Sequence, residues 1–306
     1  MKTGGTSRAR RPARAGPLEA RRRAFERCFV SALTARCKGP GRVAEAMRYA
    51  ALGPGKRLRP LLVLGACEAV GGDWRTALPA AVAVECVHAF SLVHDDLPAL
   101  DDDDYRRGRL TTHRKFGEAL GILTGDALLA FAFEELARLQ LTGVPSPRVV
   151  VAVRWLAHAS GGADLIGGQA LDMAAERRRV SPRSVEAIHR RKTGALMGAC
   201  LALGAIAGGA DARQIEALDR AGRLLGFAFQ IHDDLLNADS SLRKLGKRAG
   251  TDQARGKATY HGTAGREAAL RRERLLLRSA RGIIESHCRR PADLLALLEA
   301  VAARET

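Results

Sequence analysis

The run AVECVHAFSLVHDDLPALDDDDYRRG, residues 83–108, begins as an apolar segment and ends in six aspartates and two arginines. From Ala83 to Val93 almost every position is apolar with no alternation of period two, so the segment predicts a helix buried on all sides. His88, Ser91 and Asp95 recur at i, i+3 and i+7 and therefore share one face of that helix. Pro98 then removes a donor and clashes with the carbonyl of His94, which ends the helix and lets the chain fold Asp101 back towards Asp95.

A second run of the same kind is FAFQIHDDLLN, residues 227–237. Gln230, Asp233, Asp234 and Asn237 stand at i, i+3, i+4 and i+7, one polar stripe on a helix. An acidic pair is ordinarily a solvated surface face. Here the carboxylates continue the apolar stripe of their own helix, which is not where solvated charge belongs. Two such helix ends facing each other repel unless hard cations lie between them, and Mg²⁺ or Mn²⁺ suits all-oxygen ligands completed by phosphate.

Cations to complement such a site occur at Gly55-Lys56-Arg57-Leu58-Arg59-Pro60, Arg106-Arg107-Gly108, His189-Arg190-Arg191-Lys192-Thr193-Gly194 and Gly246-Lys247-Arg248. Lys and Arg pairs are commonplace on solvated helix faces. Arg106 and Arg107 differ, because two cations abutting four consecutive aspartates suit a site that binds both metal and anion.

Outward from these runs, the 306 residues are 46% hydrophobic and only 4% aromatic, with few Val/Ile/Thr runs. That argues against a sheet protein and for an all-α one. Gly/Pro breaks at Lys38–Gly41, Gly53–Gly55, Gly71–Asp73, Gly143–Pro145, Gly161–Gly162, Ser181–Pro182, Gly208–Gly209 and Ser240–Gly256 separate the helices. Residues 1–17 read as a basic disordered arm and residues 18–306 as a single all-α domain. The net charge is +17, and Met1–Arg27 holds nine basic residues against two acidic. The arm lacks the amphipathic face of a transit peptide.

The charge alone suits nucleic acid, anionic membrane or polyanionic substrates equally. No recognition fold or aromatic stacking platform accompanies it, so no specific nucleic-acid partner is expected. Six cysteines without a Cys-x-x-Cys pair suggest reduced core thiols in a cytoplasmic protein. Thr193–Ala210 is uncharged but dominated by Gly and Ala, which fits a buried bundle helix better than a transmembrane segment.

Taken with GKRLRP, GGQALDM, IHRRKTGALMGA and LGKRAGTDQARGKATY, the two aspartate runs resemble those of the short-chain trans-isoprenyl (polyprenyl) diphosphate synthases, closest to the bacterial farnesyl diphosphate synthase type. The resemblance covers roughly Glu45 to Tyr260. It implies an isoprenoid-synthase-type helical bundle around a central cavity, usually a homodimer. It further implies an allylic diphosphate held through Mg²⁺ by Asp95 and Asp101, with Asp96 beside them, and by Asp233. Arg106, Lys192, Gln230 and Lys247 match positions that contact the allylic diphosphate, and Lys56, Arg59, His88 and Arg107 those that hold isopentenyl diphosphate. Thr193 and Gln230 match groups whose oxygens face the developing allylic cation.

The residues suit that chemistry. A diphosphate leaves once its charge is neutralised, and the cation left behind must be shielded from water. In the family, an aromatic at the position of Phe90 resembles the floor that stops growth near C15, so farnesyl diphosphate is the expected product. At about 100° per residue Ser91 lies about 40° from the line of Asp95 and Phe90 about 140°, which makes the small Ser91 the nearer wall and keeps a C20 product open. Asn237 stands where a third aspartate is common and His261 where a proline is common; Asn keeps one oxygen ligand but loses a charge. Glu85-Cys86-Val87-His88 and Glu186-Ala187-Ile188-His189 share the Glu-x-x-His spacing of di-iron bundles. The second is followed by Arg190, Arg191 and Lys192, which would repel iron. A terpene cyclase would not need Lys56, Arg59 and His88.

Overall fold

The computed structural model describes residues 16–37, 41–243 and 258–302. The expected all-α architecture holds, with one small addition among the described residues. Tyr105–Arg106 (β1) pairs antiparallel with Arg109–Leu110 (β2) in a hairpin directly after the first aspartate run.

Helix α1 (Pro17–Ser31) runs into a wide π-helical turn, Ala32–Arg36, and is followed by α2 (Val43–Ala51), α3 (Leu58–Ala69) and α4 (Leu78–Asp95). After the hairpin come α5 (Thr112–Phe116), α6 (Glu118–Ala137), α7 (Ser146–Ser160), α8 (Leu165–Ala175) and α9 (Pro182–His189). A second π-helical turn, Arg190–Gly194, leads into α10 (Ala195–Ala207). Then follow α11 (Ala212–Arg243), α12 (Tyr260–Ala264), α13 (Arg266–His287) and α14 (Ala292–Ala302). Proline opens α1, α4, α7 and α9 within their first two positions, where its missing N–H costs nothing. The Ser181 side chain accepts from the Ser184 N–H to cap α9. Helix α11 outruns the expected break at Ser240 by three residues.

The core is built on α4 and α10. Helix α4 packs on α6 and α3, and α10 packs on α11, α3 and α7. Every residue from Ala195 to Ile206 is buried, so the uncharged stretch is an interior helix as its composition predicts. The backbones approach too closely for side chains in two places. A Cβ on Gly204 would lie 2.2 Å from the Val63 carbonyl of α3, and one on Gly222 2.4 Å from the Met197 carbonyl of α10. Among the described residues two helical stretches, Trp74–Asp95 and Ser146–Ala175, are long and apolar enough to cross a membrane, and the first of them forms this core, with 72% of its apolar window buried.

Buried Arg21 of α1 pairs with Glu68 of α3 and with Asp293 of α14 at 2.6 Å, which ties the first and last helices together. No disulfide joins the six cysteines. Burial pushes the thiols of Cys67 and Cys200 up to about 11 and about 12, leaving them inert.

Candidate active site

Helix α4 stops at Asp95, and the chain turns back as Pro98 requires. The Asp101 N–H donates to the Asp95 carbonyl at 2.8 Å, the Asp103 N–H donates to the Asp96 carbonyl at 3.2 Å, and Asp102 takes φ of 50°. Asp95 and Asp101 thereby face a cavity of about 330 Å³ whose opposite wall is α11, with Gln230, Asp233 and Asn237. The i, i+3, i+7 stripe of α11 thus reaches the first aspartate run across open space.

Asp96 is placed apart from Asp95. Expected beside Asp95 as a metal ligand, it is buried and accepts from both Nε and Nη2 of Arg106 at 2.6 Å, and it does not line the acidic cavity. One residue past the end of α4 it lies about 100° around the axis from Asp95, which turns it towards the hairpin instead. Burial pushes its carboxyl up to about 6, with Arg106 pulling the other way. Its work is to hold Arg106, which lines the same acidic cavity.

The π-helical turn supplies the cavity's cation and its polar link to α11. Lys192 Nζ donates to Asp172 of α8 at 2.8 Å. Burial depresses this amine, but Asp172, Asp95 and Asp101 outweigh it and hold the amine above its ordinary value, fully charged. The Thr193 hydroxyl donates to Gln230 Oε1 at 2.9 Å, Gln230 Nε2 donates to Asp234 Oδ1 at 3.1 Å, and Asp234 Oδ2 accepts from the Tyr260 N–H at 3.1 Å. Asp234 borders the same cavity as Asp233, with both of its oxygens accepting from groups of the protein. His189 packs edge-on against Phe227, and burial drops its pKa to about 4, so it stays neutral. Sequence reasoning passed over Asp172. It stands three residues after Gln169 in the GGQALDM run, one helical turn, which was a signal for a shared face. Gly168, one turn before Asp172, lies against the Lys192 backbone.

A second cavity, of about 690 Å³, is basic and lined by Lys56, Arg59, His88 and Arg107. Arg59 Nη1 lies 3.3 Å from His88 Nε2 and can only donate, so that nitrogen accepts and His88 carries its proton on Nδ1. Burial, then Arg59 and Arg107, hold His88 well below its usual range, and it is neutral. The loop that presents Lys56 is clamped from beneath. Arg57, itself at φ of 50°, donates to Glu85 at 2.7 Å, to Glu26 at 2.9 Å and to the carbonyls of Ala51 and Gly53. Arg107 Nη1 donates to the Pro54 carbonyl at 2.8 Å. Neither Arg57 nor Glu85 announced this role in the sequence.

The third cavity, of about 470 Å³, is apolar and runs beneath Asp95. Phe90 and Ser91 both line it, with Leu129, Leu165, Met173 and Leu196 among the other walls. Asp95, Lys192 and Thr193 border both this cavity and the acidic one, Arg59 and His88 border it and the basic one, and Arg106 and Asp233 border the acidic and basic ones. Each chamber therefore adjoins the other two. Lys247 lies outside the described residues.

A metal here would be offered carboxylate oxygens by Asp95, Asp101 and Asp233. No preformed cluster of three His, Cys, Asp or Glu ligands exists among the described residues. That fits Mg²⁺, which keeps one or two carboxylates and completes its octahedron with substrate phosphate and water. It does not fit the Glu-x-x-His alternative. Glu85 is committed to Arg57, and Glu186 pairs with Arg190 and, at 2.9 Å, with Arg272.

Comparison with known proteins agrees with this geometry. The family model described as Polyprenyl synthetase matches residues 40–290. The chain is 45% identical over 256 residues to the farnesyl diphosphate synthase of Escherichia coli, covering 83% of this chain and 86% of that one. It is 45% identical over 271 residues to the heterodimeric geranylgeranyl pyrophosphate synthase large subunit 1 of Arabidopsis thaliana, covering 87% and 73%. The apo structure of an FPP/GFPP synthase from Zymomonas mobilis superposes with a TM-score of 0.81 at 36% identity, over 94% of this chain and 97% of that one. An acidic, a basic and an apolar chamber meeting beneath two aspartate runs, and relatives matched over most of their length, place the chain in the polyprenyl synthetase family.

Proposed function

We propose that the protein condenses isopentenyl diphosphate head to tail with an allylic diphosphate, dimethylallyl or geranyl, to give mainly farnesyl diphosphate and free diphosphate. The observation that carries this reading is the meeting of two polar chambers of opposite character over one apolar one. The basic chamber, with Lys56, Arg59, His88 and Arg107, suits a substrate that brings its diphosphate without metal. The acidic one, with Asp95, Asp101 and Asp233, suits a diphosphate that arrives with Mg²⁺, or with Mn²⁺ in its place. Bound there, the metal would neutralise charge on the leaving diphosphate.

The chain's own residues do the rest. Lys192 and Arg106 add fixed positive charge beside the departing oxygen, and Lys247 is expected to join them. As the allylic C–O bond breaks, its electron pair leaves with the diphosphate. Thr193, which borders both the acidic and the apolar chambers, and Gln230 turn oxygen atoms towards the carbon that becomes positive. The double bond of isopentenyl diphosphate attacks that carbon, and loss of a proton restores the alkene. The apolar walls exclude water, which would otherwise trap the cation as an alcohol.

Phe90, 4% exposed, is the proposed floor for a C15 chain. The second reading, a C20 product, draws on Ser91, which is small and lines the same cavity. A homodimer is expected to cover the exposed apolar residues Ile122 and Leu123 of α6 and Val150 of α7. The deciding experiment incubates purified protein with Mg²⁺, isopentenyl diphosphate and dimethylallyl diphosphate, with and without EDTA, and measures product length by mass spectrometry. A metal-dependent C15 product is expected. A C20 product keeps the reaction and removes Phe90 as the floor, and no condensation by folded protein removes the reaction.

A further inference from the structure

Phe90 does not stand alone beneath the apolar chamber. His94 lies one turn further along α4, and the two rings meet edge to face with centroids 5.2 Å apart and an interplanar angle of 81°. Behind His94 is the backbone of α6. Its Nε2 is 3.0 Å from the Ile122 carbonyl, which can only accept, so Nε2 carries the proton and donates. The ring fits there because residue 125 has no side chain: a Cβ on Gly125 would fall 2.0 Å from His94 Nε2 and 2.3 Å from Cδ2. Phe90 and His94 both line the chamber.

A single aromatic ring makes a soft stop, because it can change rotamer when a growing chain presses on it. Here the space on one side of Phe90 is filled by a second ring. That second ring cannot retreat towards α6, because the helix backbone at Gly125 lies directly against it. We propose that His94, seated in the notch at Gly125, is a positioning residue for product length, holding the Phe90 ring across the apolar chamber. The assignment rests on the chain-elongation reading and adds a second layer to its floor.

The test compares product lengths from wild type, His94→Ala, Gly125→Ala and the double variant, each scored as the C20:C15 ratio at equal isopentenyl diphosphate consumption. Removing the imidazole should raise that ratio about fivefold, the size expected for losing one edge-to-face ring contact. Gly125→Ala should raise it similarly by expelling the ring. Once His94 is alanine the added methyl has nothing to strike, so the double variant should match His94→Ala alone. His94→Phe keeps a ring in the notch without the hydrogen bond and should hold the wild-type ratio, and it serves if Gly125→Ala does not fold.

An unchanged ratio in His94→Ala would overturn the proposal, as would effects of the two substitutions that simply add. Phe90→Ala separates the layers. If it lengthens the product while His94→Ala does not, the floor stands and the role of His94 falls. If Phe90→Ala leaves length unchanged, the floor reading itself fails.

Discussion

Replacing Glu85 by Gln tests whether the loop that offers Lys56 is held by a buried charge pair. In the native protein Arg57 and Glu85 are 5% and 6% exposed at their side chains and 2.7 Å apart. The substitution leaves the guanidinium buried with Glu26, 34% exposed, as its remaining counter-ion. Removing one member of a buried pair costs about 3–5 kcal/mol. Gln keeps an acceptor oxygen and Glu26 keeps its charge, so a loss of about 2 kcal/mol, or about 3 °C in Tm, is expected. Glu26→Gln, the more exposed partner, should cost less than about 1 kcal/mol.

Function should follow the same geometry. A loop displaced by a fraction of an ångström weakens the basic chamber and not the acidic one, so KM for isopentenyl diphosphate should rise about tenfold while KM for the allylic substrate barely moves. Thermal melts and steady-state kinetics with each substrate varied in turn make the measurement. A Tm within about 1 °C of wild type, or equal changes in both KM values, would refute the clamp.

Three further outcomes are expected. Lys56→Ala should lower kcat/KM for isopentenyl diphosphate about a hundredfold, whereas full turnover of the allylic diphosphate alone, followed by diphosphate release, would point to a cyclase. Gly168→Ala would place a Cβ 2.4 Å from the Lys192 nitrogen; forcing α8 off the π-helical turn should cost about 1–3 kcal/mol and lower kcat more than it raises KM, readable by denaturant melts and kinetics. His189→Gln should flatten the acid limb of stability in metal-free protein. Its pKa of about 4 lies below the unfolded 6.5, so native stability is full above 6.5 and falls by up to about 3 kcal/mol as pH drops towards 4. Asp96, raised to about 6, acts in the opposite sense below that pH, so the comparison is between wild-type and variant slopes, and parallel slopes would discard the assignment.

What the sequence disclosed was whatever periodicity and a single turn determine. Pro98 foretold the fold-back of Asp101, the spacing from Gln230 to Asn237 foretold one polar stripe, and the Gly/Ala-rich stretch after Thr193 foretold an interior helix. What stayed hidden depends on contacts between distant elements. The choice of Asp95 over Asp96 for the cavity turned on where α4 ends relative to the hairpin that carries Arg106. Asp172 became meaningful only when α8 met Lys192, and Arg57 only when Glu26 and Glu85 closed on it from two other helices. The π-helical turns escaped because they add one residue to a pattern otherwise read at 3.6 per turn. Gly125 read as an unremarked glycine within a helix until the His94 ring was found lying against it.

The turn at Arg190–Gly194 also constrains how this gene can change in length. A π-helical turn spends one residue more than an α-helical one over the same axial advance. Deleting the codon for Arg190 or Arg191 would restore ordinary winding and rotate α9 by about 100° relative to α10. His189 and Ile188 would leave the wall of the acidic cavity, although no side chain named in the mechanism had been altered. At Arg190 and Arg191 the protein is therefore more tolerant of a changed letter than of a missing one, and variants that survive selection should keep the spacing from His189 to Lys192 even where those two residues differ.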